Sequence, residues 1–232
     1  MRLISEDMRK QAVTTAVMKE MDRRSIHEYG LPGAVLMENA GACVAEAAVQ
    51  GVLPVDGSVL VMAGAGNNAG DGFVAARYLA NRGFQVRVVT AVEESACSED
   101  AAMYLAVIKK MGIEITRWRD GQHVDKGDVG AILDSLLGTG LSGPLRAPYD
   151  QMIQAVNEAD APVVAVDIPS GLNGDTGEVA TVAVKAHTTV TFALPKAGLY
   201  LGEGPWLAGR IIVGDIEMPR SVYPSGASAE PR

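Results

Sequence analysis

Short, mainly apolar runs alternate with helical stretches along most of this chain, and that alternation constrains the fold more than any other feature. The runs lie at 58–63, 85–90, 113–115, 129–133 and 162–166. Helical patterns follow at 73–82, 99–111 and 148–158. A strand with no polar face needs cover on both sides. Such strands separated by helices predict a parallel sheet between two helical layers. Two more runs, 188–194 and 210–213, have no helix between them and predict late strands of either direction. Upstream, Ser5 with Glu6 and Asp7 predicts a helix start, and Val13, Val17 and Met21 continue it at four-residue spacing. Gly30, Pro32 and Gly33 end it. A second helix, 34–49, is apolar on most sides and is expected to be buried. The stretch 219–232 carries three prolines and no apolar period. It is read as a linker-like tail, leaving one domain over 1–218.

Composition excludes several classes. Lys and Arg total 20 against 28 Asp and Glu, a net charge of -8, so no nucleic-acid partner is expected. Aromatic residues make up 5%, too few for a base-stacking platform. Cys43 and Cys97 have no metal-site spacing and are read as reduced thiols. Without a signal core or a run of about eighteen apolar residues, a cytoplasmic protein with no membrane partner is expected. The 26 glycines gather in clusters, which marks close backbone approach.

Three glycine-rich loops leave strand ends, where open parallel sheets bind ligands: 64–72, 134–144 and 167–173. In the first, Gly64-x-Gly66-x-x-Ala69 matches a relaxed dinucleotide fingerprint. With Glu93 and Glu94 as ribose acids, it would suit a dehydrogenase. The same loop carries Asn67, Asn68 and Asp71, and a carboxylate there competes with a pyrophosphate for the amides. Helix capping by Asn68 or Asp71 is the simpler alternative. Asp134 and Asp167 each close an apolar run and open a Gly/Ser loop, as turn caps also do. With Asn68 and Ser170 they form an oxygen-only donor set, which suits a hard cation rather than zinc.

Five motifs in order carry a resemblance: Leu-Met-Glu-Asn-Ala-Gly at 36–41, Gly-x-Gly-Asn-Asn-x-Gly-Asp-Gly at 64–72, Asp-x-Leu-Leu-Gly-Thr-Gly at 134–140, Val-Asp-Ile-Pro-Ser-Gly-Leu at 166–172 and Thr-Phe-Ala-Leu-Pro-Lys-Ala-Gly at 191–198. The chain resembles the NAD(P)H-hydrate epimerase family, the YjeF N-terminal domain, from about Gly30 to Pro219. The resemblance implies a Rossmann-like three-layer α/β/α sandwich with a mostly parallel sheet. It implies an isomerase that interconverts the R and S hydrates of NADH and NADPH at C6 of the nicotinamide ring. It implies a substrate site lined by Asn67, Asn68, Ala69, Gly70 and Asp71, by Gly138, Thr139, Gly140, Leu141, Ser142, Gly143 and Pro144, and by Asp167. It also implies a potassium ion held by Asn68, Asp134 and Ser170.

Asp167 is the candidate catalytic acid and base, since one carboxyl can serve both directions of a nearly symmetric reaction. Ala69 stands where the family more often has glycine. Lys196 is read either as a phosphate contact or as a surface lysine. His27, His123 and His187 are read as structural or solvated, and Trp118 and Trp206 as packed. A homodimer is expected, and an ADP/ATP-dependent dehydratase is the expected pathway partner. Two rival functions stay open, an NAD(P)-dependent dehydrogenase and a non-catalytic nucleotide-binding or interaction domain of the same fold.

Overall fold

The computed structural model describes residues 3–4, 8–53, 57–124, 129–140, 143–179 and 181–227. An eight-stranded sheet runs through its centre in the order β1-β8-β7-β6-β5-β2-β3-β4. The strands are β1 (Leu3–Ile4), β2 (Ser58–Ala63), β3 (Gln85–Thr90), β4 (Glu114–Arg117), β5 (Ala131–Ser135), β6 (Val163–Val166), β7 (Thr188–Phe192) and β8 (Arg210–Gly214). Strands β2 to β8 pair in parallel, the two late strands included, and β1 lies antiparallel on the β8 edge. The helices are α1 (Thr15–His27), α2 (Gly33–Gly51), α3 (Asn67–Asn81), α4 (Glu99–Lys110), α5 (Tyr149–Glu158) and the one-turn α6 (Gly204–Leu207).

The apolar strands are explained by which layer each residue meets. Val59, Val61 and Ala63 of β2 pack into one core with α1 to α4. Leu60 and Met62, pointing the other way, pack into a second core with Met152 and Ile153 of α5. Successive side chains alternate faces, and both faces are covered, so polar residues have no place in the run. Burying one such side chain contributes about 1.5–3 kcal/mol.

Four boundaries depart from the sequence reading. First, α1 begins at Thr15, where the Thr14 hydroxyl accepts a hydrogen bond from the Val17 N–H at 3.3 Å. Before it, the Val13 backbone is already engaged: its N–H donates to Pro195 O, and its carbonyl accepts from Ala197 N–H. A helix running through Val13 would break both bonds. The proposed Ser5 cap lies outside the described residues.

Second, α3 begins at Asn67, so two thirds of the expected glycine loop, 67–72, is helix. Its glycines serve packing. A Cβ on Gly64 would come within 1.9 Å of the Leu136 carbonyl oxygen. One on Gly41 of α2 would come within 2.4 Å of Val74 Cβ, so the absence of that methyl lets α2 and α3 touch. Third, β5 runs on to Ser135, which puts Asp134 inside the strand. Fourth, the start of the expected tail packs on the domain. Residues 220–222 form a turn of 3-10 helix, Val222 is buried, and Tyr223 rests on the core. Two apolar residues among the prolines suffice to anchor it.

Candidate active site

Strand β2 has β3 on one side and β5 on the other, so the connections after β2 and β5 diverge. Such a switch point leaves a crevice at the carboxyl ends of the strands. A cavity of about 690 Å³ lies there, a volume typical of small-molecule sites. Its walls are the start of α3 (Gly66, Asn67, Asn68, Asp71), the loop after β5 (136–140), Asp167 after β6, Lys196 after β7, and the Met18, Asp22, Ile26 face of α1.

Asp167 has a φ of 68°, an unusual backbone for a residue with a Cβ. Its N–H still donates to Val190 O at 2.8 Å, so the strand pairing persists while its carboxyl lies on the cavity wall. The Lys196 ammonium donates to that carboxyl. It also donates to Thr191 Oγ1 at 3.1 Å and Phe192 O at 3.3 Å, and Thr191 Oγ1 donates to Asp167 at 3.2 Å. The Lys196 side chain is 3% exposed, which overturns its reading as a surface lysine. Nothing in its local sequence, Leu-Pro-Lys-Ala-Gly, signals burial.

Two more carboxyls share the cavity. Burial and the Asp167 and Asp22 charges push Asp71 well above the usual carboxylate range, against the opposing pull of Lys196. Burial pushes Asp22 up to about 6, opposed by Lys196 and assisted by Asp167. Asp22 was missed in the sequence. Its signal was available: it occupies the middle of an i, i+4 series with Met18 and Ile26, a carboxyl on an apolar stripe.

Asp134 and Ser170 form a closed pair behind the loop that follows β5, and both are fully buried. The Asp134 carboxyl accepts from Ser170 Oγ at 2.6 Å, Ser170 N–H at 2.8 Å and Leu136 N–H at 3.3 Å. Burial nevertheless pushes it up to about 6, against those bonds. Ser170 Oγ accepts in turn from Leu137 N–H at 2.9 Å. Asn68 lies across the same loop, its side chain 3.3–3.7 Å from where a Cβ on Gly138 would sit. Among the described residues, neither polar atom of its buried amide has a hydrogen-bond partner. Unpaired buried amide atoms call for an ordered water or an ion. The three residues therefore offer oxygen donors with spare lone pairs around one loop, a set that fits a hard cation.

Of the expected substrate contacts, Asn67, Asn68, Asp71, Gly138, Thr139, Gly140 and Asp167 line the cavity. Ala69 and Gly70 do not. Ala69 is buried in the core, where its methyl crowds nothing in the site, and a Cβ on Gly70 would meet Met37. Helical geometry is the reason, because successive residues of one turn cannot all face one cavity. Gly143 and Pro144 are exposed and lie off the cavity wall, while Leu141 and Ser142 fall outside the described residues. Glu93 and Glu94, the candidate ribose acids, pair instead with Arg117 and Lys109 on the surface. His187 Nδ1 accepts from Val163 N–H, a structural role, and Trp118 is buried. Trp206 is 82% exposed, contrary to its expected packing, because its neighbour Leu207 takes the buried face of α6. Cys43 and Cys97 are free thiols. Among the described residues, no helix is long and apolar enough to cross a membrane.

Comparison with known proteins agrees with this architecture. The chain is 39% identical over 206 residues to an NAD(P)H-hydrate epimerase of Weissella koreensis, covering 88% of this chain and 90% of that protein. It is 39% identical over 208 residues to one of Limosilactobacillus fermentum, covering 90% and 98%. A bifunctional NAD(P)H-hydrate repair enzyme of Salinibacter ruber is 41% identical over 228 residues, covering 93% of this chain but 42% of that protein. The chain thus spans about two fifths of the bifunctional relatives. The crystal structure of yeast ynu0 superposes with a TM-score of 0.81 at 23% identity, covering 95% of this chain and 96% of that one, and so shares the fold. The family model described as YjeF-related protein N-terminus matches residues 33–198, from the first residue of α2 to just past Lys196, and the chain belongs to that family.

Proposed function

We propose that this protein is an NAD(P)H-hydrate epimerase, interconverting the R and S hydrates of NADH and NADPH at C6 of the nicotinamide ring. The observation that carries the reading is Asp167. It is a carboxyl in left-handed backbone, paired with a buried lysine, on the wall of the cavity at the switch point. Relatives named for this activity at 39% identity, aligned over nine tenths or more of their own length, support it. The surface pairing of Glu93 and Glu94 removes the acids that the dehydrogenase reading needed.

The substrate carbon bears a hydroxyl and the ring nitrogen. Protonation of the hydroxyl lets it leave as water while the nitrogen lone pair forms a C6–N1 double bond. Water then adds to the other face of the planar iminium and loses a proton. Asp167 supplies and recovers protons, and general acid–base help of this kind is typically worth about 10²–10⁴-fold. Lys196 and Thr191 hold the Asp167 carboxyl in one orientation. The N–H groups that open α3 at Asn67 and Asn68 suit the substrate phosphates.

Asn68, Asp134 and Ser170 would hold potassium. That ion would add fixed positive charge beside the loops that meet the phosphates. An ADP/ATP-dependent NAD(P)H-hydrate dehydratase acting in the same pathway, and a homodimeric assembly, belong to the same proposal. The deciding experiment supplies one purified hydrate epimer without ATP and follows the other by chiral chromatography. Interconversion well above the spontaneous rate is expected, and a rate equal to the blank overturns the reading.

A further inference from the structure

We propose that Asp22 of α1 is a second proton-handling carboxyl of this site, serving the face of the nicotinamide ring that Asp167 does not. The inference rests on the epimerase reading and concerns a residue outside the segment that matches the family model.

In inversion at C6 a proton is given on one face and taken on the other, and Asp22 would share with Asp167 the two transfers otherwise left to Asp167 alone. The acid on the first face donates to the C6 hydroxyl. The C6–O bond breaks with its electron pair, water departs, and the N1 lone pair becomes the second bond of the iminium. On the other face a water oxygen bonds to C6, the π pair returns to N1, and the surplus proton passes to the second carboxylate. One water leaves and one enters, and one proton has moved between carboxyls. Exchange with solvent through the cavity resets them.

Asp22 is placed for the second role by the way α1 is fastened. Val13 N–H donates to Pro195 O at 2.9 Å, and Ala197 N–H donates to Val13 O at 2.8 Å, so the entry to α1 brackets Lys196. Two residues on, Thr15 donates through its N–H (2.6 Å) and hydroxyl (2.9 Å) to the two oxygens of Asp175. The helix is thereby clamped at its start. Its Met18, Asp22, Ile26 face forms one cavity wall, and Asp167 comes from the sheet on another.

Asp22 and Asp71 share the cavity with the Asp167–Lys196 pair, and burial together with the neighbouring carboxyl charges holds both above the usual carboxylate range. Among the described residues, nothing donates a hydrogen bond to the Asp22 carboxyl. Its burial, countered by Lys196 and reinforced by Asp167, brings its titration to about 6, where a carboxyl can both give and take a proton near neutrality. Exposed Lys19 on α1 and Asp100 at the start of α4 complete the charged cavity wall. Arg220, on the turn packed against α1, is not among the charges that shift Asp22.

The test measures kcat and KM for the full chain, from one hydrate epimer, between pH 5 and 9. Asp22→Asn is expected to lose about 10²–10⁴-fold in kcat with little change in KM, and to lose the limb of the pH profile near 6. Asp22→Glu is expected to recover part of kcat and to keep a displaced limb. It also decides the matter should the Asn variant fold poorly. Parent kcat in Asp22→Asn, or a reduced kcat with the limb in place, overturns the role of Asp22 while leaving the epimerase reading intact. A parent chain that fails to interconvert the epimers overturns the reading itself.

Discussion

Asp134 and Asp167 look alike in sequence, each at the close of an apolar run before a Gly/Ser loop, yet the fold uses them in opposite ways. Asp134 lies inside β5, fully buried and held by three hydrogen bonds. Asp167 lies one residue past β6, in left-handed backbone, with its carboxyl on the cavity wall against an ammonium. The difference is one of register. A residue within the ladder keeps its side chain perpendicular to the sheet, whereas a residue just beyond it can be turned by its own φ. The first aspartate ties its strand to the loops around it, and the second lines the cavity.

The largest effect expected is on Asp167. Asp167→Asn keeps size but cannot exchange a proton near neutrality, so turnover should fall about 10²–10⁴-fold, roughly 3–5 kcal/mol of barrier, with folding retained. Single-turnover assays with a melting curve on the same sample separate the two. Turnover near the parent rate would mean that the open aspartate is not the acid.

Next comes its partner. Lys196→Met leaves the Asp167 carboxylate without its counter-ion and should lower the free energy of unfolding by about 3–5 kcal/mol in urea at pH 7. Adding Asp167→Asn to that variant should restore part of the loss, because the uncompensated charge is gone. Equal stability of the single and double variants would show that the pair is uncoupled.

The closed aspartate is tested through the potassium ion proposed for it. Potassium should raise the melting temperature more than an equal concentration of tetramethylammonium, with about 2.7 kcal/mol expected at a hundred times the dissociation constant. Asp134→Asn should abolish that difference. An undiminished potassium response would reduce Asp134 to a hydrogen-bonding strut.

The smallest effect concerns pH. Burial raises Asp22 to about 6 in the folded chain, so the native state holds a proton that the unfolded chain releases. Its contribution is fully present below about pH 4 and is lost as pH rises through 6. Asp22→Asn should therefore match the parent at pH 4 and exceed it at pH 7.5. Because Asp22 is only half-buried, the expected gain is about 1–2 kcal/mol. Parallel stability curves for the two chains would show that Asp22 is not desolvated in the native state.

The parallel sheet and its two covering layers were legible in the sequence, because an apolar run with no polar face can persist only where both faces are buried. The start of α3 was misplaced for a related reason. Glycine at 64, 66, 70 and 72 reads as a loop signal, and only packing shows that Gly70 and Gly72 make room for Met37 and Ser135 within a helix. The first helix was begun too early because nothing near Val13 announces a pairing with a segment some 180 residues away.

The candidate site divides along the same line. The residue types at its strand ends (Asn68, Asp134, Asp167, Ser170) were determined by the sequence alone, since loop position and chemistry are local properties. Which aspartate faces inward and which faces the cavity was decided by the tertiary structure. So were the burial of Lys196 and the arrival of Asp22 from a helix that precedes the matched family segment. Burial and charge pairing depend on neighbours distant in the chain, and one-dimensional spacing carries no record of them.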